Sequence, residues 1–261
     1  MPDYSALDNP SILTYVFYPR DDFGICPAYG FDHFVHVAEG VSIHCRFYKA
    51  DESRPWILYF HGNGEVVSDY DEISFFFLKY KMNLVVADYR GYGKSSGAPT
   101  LRDIASDGHI IYESVKKELE DRGLRSDLSI MGRSLGSIPA LEIAYRQQNN
   151  IRGLIIESGF PSITRLIVHL GVPVTGIDLE AINRQCLDMI RQIRTPVLII
   201  HGEYDTLVPL EEAETLSEHI GSSKKELVII PGATHNDIMF VGLKQYFEAI
   251  LRFVDNTDKK P

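Results

Sequence analysis

The chain has 261 residues, of which 44% are apolar and 24% charged, the make-up of an ordinary globular protein rather than a disordered or fibrous one. Its length allows a large core with no disulfide or metal staple, and α/β folds of about 200–250 residues commonly form one domain. Acidic residues outnumber basic ones, 36 to 26, for a formal charge of −10; with no Lys/Arg run to offset it, this argues against a nucleic-acid partner.

The first ten residues are polar and carry Asp3 and Asp8, without the charged and apolar regions of a signal peptide. Leu13–Tyr18 and Phe34–Phe47 read as early strands, the second an antiparallel hairpin turning near Glu39 and Gly40. Six short, nearly all-apolar runs follow: Trp56–Phe60, Leu84–Ala87, Leu128–Met131, Leu154–Ile156, Val197–Ile200 and Leu227–Ile230. Such runs suit parallel strands covered by helices on both faces. All are far shorter than the roughly 20 residues of a membrane-spanning helix, so no transmembrane segment is expected.

Helical patterns alternate with these strands. Val66, Tyr70, Ile73 and Phe77 share one face, as do Ile104, Gly108, Ile111, Val115 and Leu119. Thr100 and Asp103 resemble a capping box. Pro209 suits a first helical position and Gly221 a helix stop. Phe240, Leu243, Phe247, Ile250 and Val254 predict a final helix. The alternation predicts an α/β protein with a doubly wound parallel sheet, in one domain. Segment 161–196 exceeds what a simple crossover needs. It reads either as a crossover helix with an extra turn or as a small cap or lid, apolar through Leu166, Ile167, Val168, Leu170, Val172 and Val174.

Chemistry concentrates at three strand ends. Gly132-Arg133-Ser134-Leu135-Gly136 fits G-x-S-x-G between a predicted strand and a predicted helix. That turn lifts a serine hydroxyl above the sheet edge, and the helix N-terminus favours developing negative charge. A serine nucleophile needs a base and an orienting acid. Asp205 follows the strand ending at Ile200, and His235 follows the strand ending at Ile230. Both therefore sit where open α/β sheets place their ligand crevice, in the chain order Ser, Asp, His. Glu203 and Asp237 are less suited rivals, and Asp237 is expected in the first turn of the last helix. For the oxyanion hole, the expected donors are the backbone N–H groups of Leu135 and Asn63, the latter in His61-Gly62-Asn63-Gly64. His61 is expected to brace that loop rather than act as a second base.

These landmarks, together with Asp88-Tyr89-Arg90-Gly91-Tyr92-Gly93-Lys94-Ser95 and the terminal Thr234-His235-Asn236-Asp237, make the chain resemble an α/β-hydrolase over about Trp56 to Val254. It is similar to the lipase-like serine hydrolases called α/β-hydrolase-domain-containing proteins. The resemblance implies about eight strands, the first antiparallel, and ester or thioester hydrolysis. Some members of that branch remove fatty acyl groups from lipids or acylated proteins. The sequence lacks the transmembrane helix and cysteine-rich N-terminal stretch of membrane-bound members. A serine at the elbow also disfavours dehalogenase and epoxide hydrolase chemistry, which uses a carboxylate nucleophile.

Other patterns fail. Gly93-Lys94-Ser95 lacks the leading glycine of a P-loop, since residue 88 is Asp88. Gly62-Asn63-Gly64 lacks the third glycine of a dinucleotide fingerprint, replaced by Val67. His33 and His36 have no carboxylate cluster, and no metal or cofactor is needed for the chemistry above. Cys26, Cys45 and Cys186 form neither a disulfide framework nor a zinc ribbon. The expectation is a cytoplasmic serine esterase, lipase or acyl-thioesterase acting on a small-molecule or acylated substrate. A peptidase or amidase using the same triad, or a non-catalytic binding module, are the alternatives. Nothing in the sequence speaks to oligomeric state.

Overall fold

The computed structural model describes residues 2–258. Eight strands form a single sheet in the order β1-β2-β4-β3-β5-β6-β7-β8. β1 (Gly30–Ala38) and β2 (Val41–Tyr48) form the predicted hairpin, with Gly40 supplying the positive φ of its turn. β2 also runs antiparallel to β4 (Asn83–Ala87). The rest of the sheet is parallel: β3 (Trp56–Phe60), β5 (Leu128–Arg133), β6 (Leu154–Glu157), β7 (Val197–Gly202) and β8 (Lys225–Ile230).

Period-2 alternation along the largely apolar central strands gives the sheet two buried faces. Leu58, Phe60, Val85, Ile130, Ile156 and Ile199 point to one. α3 (Leu101–Asp121), α4 (Ser137–Arg146), α6 (Leu179–Ile190) and α7 (Leu210–His219) cover that face. Ile57, Tyr59, Leu84, Val86, Met131, Ile155, Leu198 and Ile200 point to the other. α2 (Tyr70–Lys79) and α9 (Leu243–Asp258) close over them. Phe76 and Tyr80 stack on Phe247, with ring centroids 5.7 and 5.3 Å apart, joining those two helices. Thr100 caps α3, its hydroxyl accepting the Asp103 N–H at 3.0 Å.

Two expectations are corrected. Leu13–Tyr18 is not a strand, because Pro10–Val16 forms a helix, α1. Asn9 caps it by accepting the Ser11 N–H at 3.0 Å, and Pro10 holds its first position. The chain turns extended only at Phe17. The β-branched and aromatic residues of this stretch favour a strand, but the cap and the burial of Ile12 against the core decide for a helix. The last helix is also shorter than its pattern. Ile238–Val241 forms a separate turn, α8, broken from α9 at Gly242, and Phe240 is exposed. Asp237 stands just before this turn rather than inside the first turn of a long helix, and its side chain makes no cap bond but accepts the Thr234 N–H at 2.6 Å.

Segment 161–196 links β6 to β7 and holds α5 (Ile163–His169) as well as α6. Among the described residues, no helix is long and apolar enough to cross a membrane.

Candidate active site

β5 leads straight into a tight 3-10 turn, Ser134–Gly136, and then into α4. Ser134 adopts φ +51°, a left-handed conformation that non-glycine residues rarely hold. Such strain persists only where its surroundings over-determine it. Here they do. A Cβ at Gly132 would stand 2.2 Å from the Gly136 carbonyl oxygen, and one at Gly136 would stand 2.1 Å from that of Phe60. The two glycines therefore admit a turn pressed against β3, with Ser134 at its tip. Among the described residues, the Ser134 hydroxyl has no hydrogen-bond partner.

His235 and Asp205 arrive on the loops after β8 and β7. His235 Nδ1 lies 2.7 Å from Asp205 Oδ2, and both residues are buried. The other carboxyl oxygen of Asp205 accepts the N–H groups of Leu207 and Val208 at 3.0 and 2.8 Å. The carboxylate is thus held at both ends, and the imidazole is left with Nε2 as its free nitrogen. His201 also approaches Asp205, at 3.4 Å. Its Nε2 is 2.8 Å from the Val208 carbonyl, and burial pushes its pKa down, which suits a neutral donor bracing the loop.

Ser134 and His235 line one cavity of about 430 Å³, together with Asn63 and Leu135. Leu166, Ile167, Leu170 and Val172, from the segment between β6 and β7, give it an apolar wall. Tyr15, Val16 and Tyr18 supply a second wall from the N-terminal arm. This arm is fixed by Asn63, whose amide donates to Val16 O at 2.6 Å and accepts the Tyr18 N–H at 3.0 Å and the Tyr92 hydroxyl at 2.6 Å. Sequence reasoning missed the arm. Asn9-Pro10 was its local signal, but no local signal reports a contact across 45 positions.

His61 is fully buried and outside the cavity lining. Its ring nitrogens meet the Gly62 carbonyl at 2.8 Å and Asp88 Oδ1 at 3.2 Å, the bracing role expected of it. The Asp88–Ser95 run is scaffold. Asp88 also accepts the Val67 N–H at 3.0 Å, Tyr89 donates to His61 O at 2.5 Å, and Arg90 pairs with Asp103 and Asp107 on α3. Burial alone would raise the Asp88 carboxyl, but His44 and His61 hold it below the usual range.

A family model described as serine aminopeptidase, S33, matches residues 51–176 and 166–239. The chain is 32% identical over 218 residues to the protein bem46 of Schizosaccharomyces pombe, covering 80% of this chain and 70% of that one. It is 29% identical to human alpha/beta hydrolase domain-containing protein 17B, over 84% of this chain and 73% of the relative. In fold it is similar to the Pyrococcus furiosus esterase Pf2001, with a TM-score of 0.72 at 19% identity, covering 91% of this chain and 98% of that one. A Paleococcus ferrophilus monoacylglycerol lipase gives a TM-score of 0.65 at 18% identity, over 82% and 99%. The eight-stranded sheet, the strand-turn-helix elbow and the family match lead to one assignment: the chain belongs to the α/β-hydrolase superfamily.

Proposed function

We propose that the protein is a serine hydrolase cleaving carboxylic ester or thioester bonds through an acyl-enzyme. The observation that carries this reading is the 2.7 Å contact between His235 and Asp205 beside a strained Ser134 in a shared cavity. His235 Nε2 takes the hydroxyl proton as Ser134 Oγ attacks the substrate carbonyl. The oxyanion formed is held by the backbone N–H groups of Asn63 and Leu135. The intermediate then collapses, and the imidazolium gives its proton to the departing alcohol or thiol. Water repeats the sequence on the acyl-Ser134 ester, releasing the acid and restoring the hydroxyl. Asp205 keeps Nδ1 protonated and stabilises the imidazolium.

The apolar walls suit an acyl group, so a small-molecule or acylated substrate fits this cavity better than a polar one. Segment 161–196 acts in this reading as the cap over that group. A reducing cytoplasm is the proposed setting, in keeping with free Cys26, Cys45 and Cys186. The test is a paired panel of p-nitrophenyl esters of rising chain length and aminoacyl arylamides. Faster turnover of esters, with a chain-length optimum, is expected. Preference for arylamides would support the peptidase alternative, which the name of the matching family model favours. No turnover of either would support a binding module.

A further inference from the structure

The residue before the nucleophile is a buried arginine, and neither its charge nor its burial is needed for the elbow turn. Arg133 is 8% exposed. Its guanidinium reaches out on every side. One Nη pairs with Glu65 in the loop after β3. The other donates to the His235 carbonyl at 2.9 Å and to Asn236 Oδ1 at 3.0 Å. Nε faces Glu157 at the end of β6, at 3.3 Å. Both carboxylates are themselves anchored. Glu65 accepts the Gly62 N–H at 2.7 Å and the Tyr70 hydroxyl at 2.8 Å. Glu157 accepts the hydroxyls of Tyr246 and Tyr59 at 2.7 and 3.1 Å.

Two independent features show that the fold is built around this group. A Cβ at Gly62 would stand 2.3 Å from Arg133 Nη1, so glycine there makes room for the guanidinium. Burial pushes the Glu65 carboxyl up, but the Arg133 charge, together with His61, the Tyr70 hydroxyl and the Gly62 N–H, holds it below its usual range. Buried ion pairs of this kind add little net stability over an apolar replacement. What this one does add is geometry. Its terminal bonds go to main-chain atoms, Gly62 N and His235 O, in the two loops that flank Ser134.

We infer that Arg133 is a positioning residue, which ties the oxyanion loop through Glu65 and the His235 loop directly to the strand bearing Ser134. A single rigid fork sets these two loops and the end of β6 in register, as a lysine point charge could not. This inference rests on the serine-hydrolase reading, since it concerns the registry of that reading's parts.

The test uses Arg133→Met, Arg133→Lys, Glu65→Gln and the Arg133→Met/Glu65→Gln double variant of the full chain. Turnover of a p-nitrophenyl ester is divided by the number of sites labelled to completion with a fluorophosphonate, so unfolded protein does not count. Loss of the reaction in Ser134→Ala secures the parent reading separately. For Arg133→Met, kcat per labelled site is expected to fall on the order of 10- to 100-fold with KM nearly unchanged, since small misplacements cost rate rather than ground-state binding. Arg133→Lys keeps the charge and is expected to recover Tm more fully than kcat. The double variant removes the unpaired Glu65 charge and is expected to regain Tm over Arg133→Met while kcat stays low. Should Arg133→Met fail to fold, Glu65→Gln decides. Its amide still accepts the Gly62 N–H, and a fall in per-site kcat of about tenfold is expected. Per-site kcat within about twofold of wild type in these variants, or kcat recovering in step with Tm in the double variant, would overturn the assignment.

Discussion

Glu142 offers a stability prediction of definite sign. It lies on α4, two turns beyond Ser134, with no exposed surface. Arg146 Nε approaches it only to 4.0 Å, from a half-exposed position. Burial therefore dominates, and the carboxyl pKa is pushed from 4.5 up to about 7. The folded state holds this proton more tightly than the unfolded state does. The resulting stabilisation is complete below about pH 4.5 and is lost as pH rises through about 7. At about 1.36 kcal/mol per pKa unit, ionised Glu142 costs up to about 3 kcal/mol at pH 8. Glu142→Gln replaces it with a neutral group of nearly equal shape. The variant is expected to be more stable than wild type by up to about 3 kcal/mol at pH 8, and about equal at pH 4. In a domain of this size that is a Tm gain on the order of 6–12 °C at the higher pH. Thermal unfolding of both proteins across pH 4 to pH 8, followed by circular dichroism, measures the difference. A Tm gap independent of pH would refute the reasoning, because it would mean that the carboxyl does not change protonation on unfolding.

Three further outcomes follow from the site. Asp205→Asn should leave the fold intact but lower kcat by about 10³- to 10⁴-fold, because an amide can no longer fix the imidazole tautomer; steady-state hydrolysis of a p-nitrophenyl ester measures it. Gly136→Ala places a Cβ 2.1 Å from the Phe60 carbonyl oxygen, a backbone atom that cannot swing aside. A loss on the order of 3 kcal/mol in urea unfolding is expected, together with displacement of Ser134, the proposed nucleophile. Asn63→Ala keeps the backbone N–H assigned to the oxyanion but removes the hydrogen bonds to Val16, Tyr18 and Tyr92. At about 1 kcal/mol each the N-terminal arm should loosen, and the kcat/KM ratio of a long-chain to a short-chain p-nitrophenyl ester should fall.

How legible each feature was follows from how local its cause is. Six strands, β3 to β8, could be placed within a few residues: both faces of β3 to β7 are buried and the apolar run records that directly, while half-buried β8 at the sheet edge keeps the apolar run Leu227–Ile230. Ser134 was legible because steric demands at Gly132 and Gly136 write themselves as glycines. Asp205 and His235 followed from the strand ends, and the structure brings them into contact. The helix α1 was misread because Thr14, Tyr15 and Val16 favour strands, while its cause is the cap at Asn9 and packing against distant core. Phe240 shares the periodicity of α9 but lies on the far side of the break at Gly242, where nothing apolar covers it. Arg133 escaped notice for a different reason. A charged residue in a variable motif position reads as solvated surface, and only the partners from two other loops and the end of β6 reveal that it is buried. Glu65, three residues after Gly62, was the available signal.

The central claim is that Ser134 is a nucleophile activated by His235 and Asp205. Intact-mass analysis after incubation with a fluorophosphonate tests it most directly. Wild type should gain one phosphonyl group, mapped by peptide digestion to Ser134, and Ser134→Ala should gain none while folding normally. An unmodified wild-type protein, or an adduct that persists in Ser134→Ala, would contradict the account.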